Sequence, residues 1–302
     1  VRAPPPLLSH VALSAFTFVW GANFVLAAVA LREVTPIVFS VSRFAFAALL
    51  LFPLIFRRTR REGAPRPRPR PAQLARLVAV AVLGAALAPW LGIEGLARST
   101  AGRAALYPAM APAISALVGR AMGHETLSAT NAGGLLLVGL GSVALAADRI
   151  GGGGDVTGDL LLGAAVVAAV AELHLIKALA TAWGPATATA WRTTLGTALY
   201  ALVALPFLLA TPWGSLSSWT WVAIVLGGTI GVGLGSWVKV AASEILGPTR
   251  VIVYGNLVPL TTALLGALAL HQYPSAFEGL AGLFVVAGAF LVQRRDRTAA
   301  GT

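Results

Sequence analysis

The 302-residue chain contains no cysteine and only 11% charged residues. Without cysteine, neither a disulfide framework nor a Cys-based metal site is available. Soluble domains carry roughly 25% charged residues. This chain has under half of that, is 57% hydrophobic and has a mean hydropathy of +0.82, so a water-facing surface over the whole fold is excluded. Acidic residues are scarcest, 11 against 22 basic ones, for a net charge of +11. That excess does not read as nucleic-acid binding, because of where it sits. Eight arginines fall between Arg57 and Arg76, and Arg294, Arg295 and Arg297 fall near the end. Basic clusters confined to one linker and one tail are the positive-inside signature of a membrane protein.

Catalytic signatures are missing too. The glycines from Gly227 to Gly235 are followed by no Gly-Lys-Ser/Thr, so they are not a phosphate loop. No HExxH, Ser/His/Asp set or carboxylate pair of a hydrolase stands out. The histidines are scattered, at His10, His124, His174 and His271. ATP-driven transport is excluded, no cofactor or metal is expected, and the chain is not read as an enzyme. An intramembrane enzyme acting on lipids would need a nucleophile and base, or metal ligands, at one depth. A purely structural scaffold would not explain Glu172 and Lys239 inside apolar spans.

What is present is a series of apolar runs of about 20 residues, enough to cross a hydrocarbon core of about 30 Å as helices. They are rich in Ala, Leu, Val and Gly and do not alternate, which favours helices over barrel strands. Ten spans are expected: 7–31, 36–56, 72–96, 101–122, 128–147, 159–182, 185–210, 218–243, 248–270 and 276–292. Pro36, Pro185 and Pro248 suit first helical positions, and Ser99 and Thr100 suit caps of the fourth span. Gly151 to Gly154 form a flexible join, and the Pro-Arg run from Pro65 to Pro71 reads as an extended linker. Val1 in place of Met implies a processed or trimmed start. The span from Leu7 is too long for a cleavable signal. Charge bias puts both termini and the Arg57–Arg76 linker in the cytoplasm, and Asp148, Asp155 and Asp159 outside.

The chain also contains itself twice. Trp90, Arg103, Tyr107, Pro112 and His124 recur 147 residues later as Trp237, Arg250, Tyr254, Pro259 and His271. Pro36 and Arg43 recur 149 residues later as Pro185 and Arg192. The halves are 1–150 and 151–302. Five spans in each make the second half inverted relative to the first, the usual build of a secondary transporter.

The first span reads Phe18-Val19-Trp20-Gly21-Ala22-Asn23-Phe24. It resembles the Trp-Gly-x-x-Phe opening of the drug/metabolite transporter superfamily, EamA-type branch. The Pro-centred fourth and ninth spans and the His124-Glu125 ending also fit. His271-Gln272 departs from that ending, and Ala169-Val170 stand where the second half would repeat Trp-Gly. Within the superfamily the nearest likeness is to the YddG-like aromatic amino acid exporters. The resemblance implies an all-α membrane protein whose ten helices surround a central cavity lined by helices one, three, four, six, eight and nine.

Polar groups at mid-membrane depth are costly and mark pathways or sites. Asn23 and Glu172 occupy equivalent positions. Glu172 suits a proton or a substrate ammonium, or else a structural partner such as Lys177 or Arg192. Trp90 and Glu94 share one helix face and suit an organic cation or zwitterion, while Glu94 and Arg98 have ion-pair spacing. Trp20, Trp237, Tyr107 and Tyr254 suit flat apolar substrates. Lys239 suits a substrate carboxylate or a pair with Glu172 or Glu244, His174 suits a group titrating near neutral pH or a plain hydrogen bond, and Pro112 and Pro259 are candidate hinges or static bends. Arg43 and Arg192 read as anchors between helices. Trp213, Trp219 and Trp221 read as interfacial belt residues.

The expectation is a multi-pass protein of a bacterial-type cytoplasmic (inner) membrane, a monomer or weak dimer that binds no nucleic acid. It would export small amphipathic metabolites, foremost aromatic or hydrophobic amino acids, by alternating access. Proton exchange through Glu94 or Glu172 and simple facilitated diffusion both stay open. So do a multidrug/proton antiporter and a nucleotide-sugar carrier.

Overall fold

A computed structural model describes residues 6–61, 70–121, 129–151, 156–246 and 258–293. They form ten helices, with no strand among them. These are α1 Pro6–Ala30, α2 Pro36–Arg61, α3 Pro71–Ala97, α4 101–121 and α5 Ala129–Gly151 in the first half. The second half holds α6 Thr157–Trp183, α7 Pro185–Ala210, α8 218–246, α9 Val258–Leu270 and α10 Ala276–Gln293. Five of them, α2, α3, α6, α7 and α8, hold a stretch long and apolar enough to cross a membrane. The apolar stretches of α1, α5, α9 and α10 are shorter. Most of the Pro-Arg linker, Gly152 to Asp155 and the Gly247-Pro248 opening lie outside the described residues.

Local chemistry sets the helix ends. Pro36 and Pro185 each start a helix, where a missing N–H costs nothing. Gly184, before Pro185, has φ 81°, a region that favours glycine. Thr100 caps α4 by accepting the Arg103 N–H at 3.3 Å. At α10 the Glu278 N–H donates to Ser275 Oγ (3.0 Å) and the Ser275 N–H to Glu278 Oε2 (3.1 Å), a reciprocal capping box.

Three helices are irregular inside. α3 widens into π-helix over Leu83–Leu87, and α8 does so over Gly227–Leu234. α4 tightens to 3-10 over Tyr107–Met110, one turn before Pro112, which has no N–H to offer that turn. Pro259 is the second described residue of α9.

Two pairs of repeat equivalents pack together most extensively: α5 on α10, and α2 on α7. α3 packs on α6 and α1 on α9. Outward faces are apolar: Leu49, Leu202, Val203, Leu209 and Leu136 are each about two-thirds exposed or more. In water so large an apolar surface would be a liability; in a bilayer it is the lipid-facing band.

Candidate functional site

A cavity of about 310 Å³ lies between the halves. Its lining comes from α1, α2, α3, α4, α6, α7 and α8. The expected set differs in two ways. The described residues of α9 contribute nothing to the wall, and α2 and α7 contribute Arg43 and Arg192, whose long side chains reach inward.

At mid-height each half presents one polar pair. Arg43 Nη1 donates to Asn23 Oδ1 at 3.1 Å, and Arg192 Nη1 reaches Glu172 Oε1 at 3.5 Å. The members of each pair are 20 residues apart. All four are nearly inaccessible: Asn23 5%, Arg43 7%, Glu172 3% and Arg192 4%. The hairpins α1–α2 and α6–α7 therefore build the same motif. Arg192 is the better provided. It also donates to the Gly84 carbonyl (3.1 Å) and to Ser236 Oγ (3.2 Å). Arg43 has the neutral Asn23 and the ring of Phe39, 4.9 Å from the guanidinium carbon. The Nε of each arginine has no hydrogen-bond partner among the described residues.

The opposite half grips each pair through a glycine in a π-helical segment. A Cβ on Gly84, in α3, would overlap the Glu172 side chain and stand 2.8 Å from Arg192 Nη1. A Cβ on Gly231, in α8, would overlap Asn23. Gly84 and Gly231 are repeat equivalents, separated by the same 147 residues as Trp90 and Trp237. π-Turns recur at functional sites, and here they bring bare backbone against buried polar side chains.

The structure gathers Trp20, Asn23, Tyr107, Glu172 and Lys239 on the cavity wall. Trp90, Glu94, His174 and Trp237 are not part of it. Trp90 and Trp237 are each 40% exposed. Glu94 pairs with Arg98 at 2.6 Å on a partly exposed helix end. His174 Nε2 lies 3.0 Å from Ser115 Oγ, in a bond between α6 and α4. Tyr254 lies outside the described residues. Lys177 is exposed, and the Glu172 carboxylate faces Arg192 instead. Trp213 donates its indole N–H to the Leu208 carbonyl at 2.9 Å and stacks on Trp221, while Trp219 is 67% exposed. Arg43 and Arg192 bond across helices, as anchors would, and they also line the cavity. The signal was present: they recur at the same offset of 149 as Asn23 and Glu172.

A second polar cluster joins the halves at one end. Arg103, in α4, binds Asp159, in α6, through Nε (3.2 Å) and Nη2 (2.8 Å). Its Nη1 reaches Glu278, in α10, at 3.4 Å. The Arg103 side chain is 1% exposed. At the same end Glu33, in the α1–α2 turn, accepts the Ser217 N–H and the Thr220 hydroxyl at the start of α8, both at 2.8 Å. Those bonds hold the Glu33 carboxyl below its ordinary pKa of 4.5.

Comparison with known proteins follows the same two-part division. The EamA-like transporter family matches residues 8–147 and again residues 156–294. That match is to the family and does not single out aromatic amino acid exporters. No curated protein matches the chain. A solved structure described as "Crystal structure of protein" superposes with a TM-score of 0.61 at 18% identity, covering 93% of this chain and 94% of that one. This likeness is one of fold.

Proposed function

The chain belongs to the EamA-like transporter family, and from that premise we propose that it exports small amphipathic metabolites, foremost aromatic and other hydrophobic amino acids, by alternating access. The observation that carries this reading is the composition of the cavity wall. Phe16, Trp20, Phe24 and Tyr107 offer ring faces to an apolar body, beside a belt of guanidinium groups for a carboxylate. The volume, about 310 Å³, is at the small end of ligand pockets. It favours a molecule of amino-acid size over a sugar nucleotide. Three cations on the wall, Arg43, Arg192 and Lys239, disfavour a cationic drug.

Rocking of one inverted repeat against the other gives the two access states. The Arg103–Asp159–Glu278 cluster serves as the latch at the end that charge bias places outside, and Pro112 and Pro259 as bending points. Both termini lie in the cytoplasm of an inner-membrane protein on this reading. Trp20, Asn23, Tyr107, Arg43, Glu172, Arg192 and Lys239 are the proposed substrate contacts. Any proton coupling rests on Glu172, the one carboxylate among the described cavity residues.

The test is efflux from preloaded proteoliposomes of labelled phenylalanine, a sugar nucleotide and a cationic dye, each with and without a pH gradient. Selective release of phenylalanine is expected. Release of the dye alone, and only under a proton gradient, would replace this reading with a drug/proton antiporter.

A further inference from the structure

We infer that the cavity takes its substrate as a net anion: an acid group on an apolar body with no ammonium beside it, bound at Arg43 with Lys239 as the second cation. This rests on the export of small amphipathic metabolites proposed above and, within that class, puts acids without an ammonium ahead of the amino acids.

The repeat itself carries the argument. Arg43 and Arg192 stand at equivalent positions in equivalent hairpins, and equivalent glycines close over the two pairs from across, Gly84 on Glu172 and Arg192 and Gly231 on Asn23. In the second half the group facing the guanidinium is a carboxylate, Glu172. In the first half it is an amide, Asn23. Arg43 is 7% exposed, and its Nε has no partner among the described residues. A charge buried at membrane depth without a counter-charge is costly. A carboxylate supplied by the substrate completes in the first half what Glu172 completes in the second.

The rest of the wall excludes a compensating ammonium. Among the described lining residues three cations face one carboxylate, and Arg192 already engages that carboxylate. Lys239 adds its charge where the first half has Gly92. An ammonium brought into this field meets Arg43 and Lys239 and no free carboxylate among these residues. Trp20 and Phe24, flanking Asn23 on α1, receive the apolar body. A phenylalkanoic acid or a 2-oxo acid therefore fits the site better than the amino acid of the same skeleton.

The experiment uses three molecules with one phenylalkyl body: 3-phenylpropionate (anion), phenylalanine (zwitterion) and phenethylamine (cation). Binding of each to the purified full chain in lipid nanodiscs at neutral pH is measured directly. Phenylpropionate is expected to bind at least about tenfold more tightly than phenylalanine, a gap of about 1.4 kcal/mol, with phenethylamine last. Asn23→Glu gives Arg43 the internal carboxylate that Arg192 has, and is expected to erase the preference for the anion. Arg43→Gln should do the same. Lys239→Gln, which loses no side-chain hydrogen bond among the described residues, should reduce the preference and serves if the other variants fail to fold. Phenylalanine binding as tightly as phenylpropionate, or more tightly, overturns the inference and leaves the export reading standing. An anion preference untouched by all three variants overturns the placement at Arg43 and Lys239. No binding by any of the three molecules overturns the inference and the export reading together.

Discussion

The two halves build one scaffold and furnish it differently. α1 carries Phe16, Trp20 and Asn23 on the cavity wall; at equivalent positions α6 carries Ala165, Ala169 and Glu172. α3 carries Gly92 where α8 carries Lys239. What the packing requires is the same in both halves: Arg43 and Arg192, Gly84 and Gly231, and the proline starts of α2 and α7. What faces the void differs. The first half supplies aromatic surface and an arginine bound to an amide. The second supplies small side chains, the carboxylate and the extra cation. The site is therefore two-sided in chemistry, although the frame around it is nearly two-fold.

The largest test of this contrast is to delete each arginine. Arg192→Ala leaves Glu172 buried without its guanidinium and should cost about 3–5 kcal/mol. Arg43→Ala removes a partner of a neutral amide and should cost about 1 kcal/mol. Thermal unfolding of the purified protein compares the two, and equal losses would erase the distinction between the pairs. Next come the glycines that grip them. Gly84→Leu and Gly231→Leu should each cost about 1–3 kcal/mol by overpacking, read by the same melts.

The latch tests the two ends of the molecule instead of its two halves. Asp159→Asn weakens the bidentate hold on Arg103. Because the chain has no cysteine of its own, a single thiol at Ala165 reports access by its labelling with an impermeant maleimide. Labelling from the Arg103 end should rise several-fold, and an unchanged rate would remove the latch role. A milder change is Trp20→Ala, which makes α1 resemble α6 at Ala169. It should weaken binding of an aromatic ligand by about 1 kcal/mol, whereas Ala169→Gly should alter it little. The smallest effect belongs to Glu33. With its pKa held below 4.5, its tie to α8 holds at neutral pH and is lost as pH falls through that lowered value. Glu33→Gln should flatten the acid limb of a stability-against-pH profile and leave the neutral region nearly unchanged.

Much of the frame was legible in the sequence. Pro36, Gly184-Pro185 and Thr100 mark helix starts where the structure has them, and the two offsets give the internal duplication. Asn23 and Glu172, equivalent in sequence, both line the one cavity. The faces of α3 and α8 were harder to read. Regular helical spacing puts Trp90 and Glu94 on one face, but the π-helical segment Leu83–Leu87 precedes them. One extra residue in a turn rotates everything after it by about 100°. The same holds for Trp237 after Gly227–Leu234. Neither segment has a sequence mark beyond glycine. Arg192 stood among the structural partners open to Glu172, and it is the one the structure has, whereas the Arg43–Asn23 bond was not legible. A spacing of 20 residues has no meaning within one helix, and acquires one only when two antiparallel helices fix which turns lie side by side.

The grip of Gly84 on the second half and of Gly231 on the first has a consequence for synthesis. α1 and α2 enter the bilayer long before α8 is made, so Arg43 and Asn23 wait there with one flank unsealed for most of translation. Neither half, produced alone, would possess the backbone that closes over its own buried polar groups. The duplication therefore works as an exchange of parts, in which each copy is completed by the other and the chain becomes one folding unit only when its eighth helix arrives.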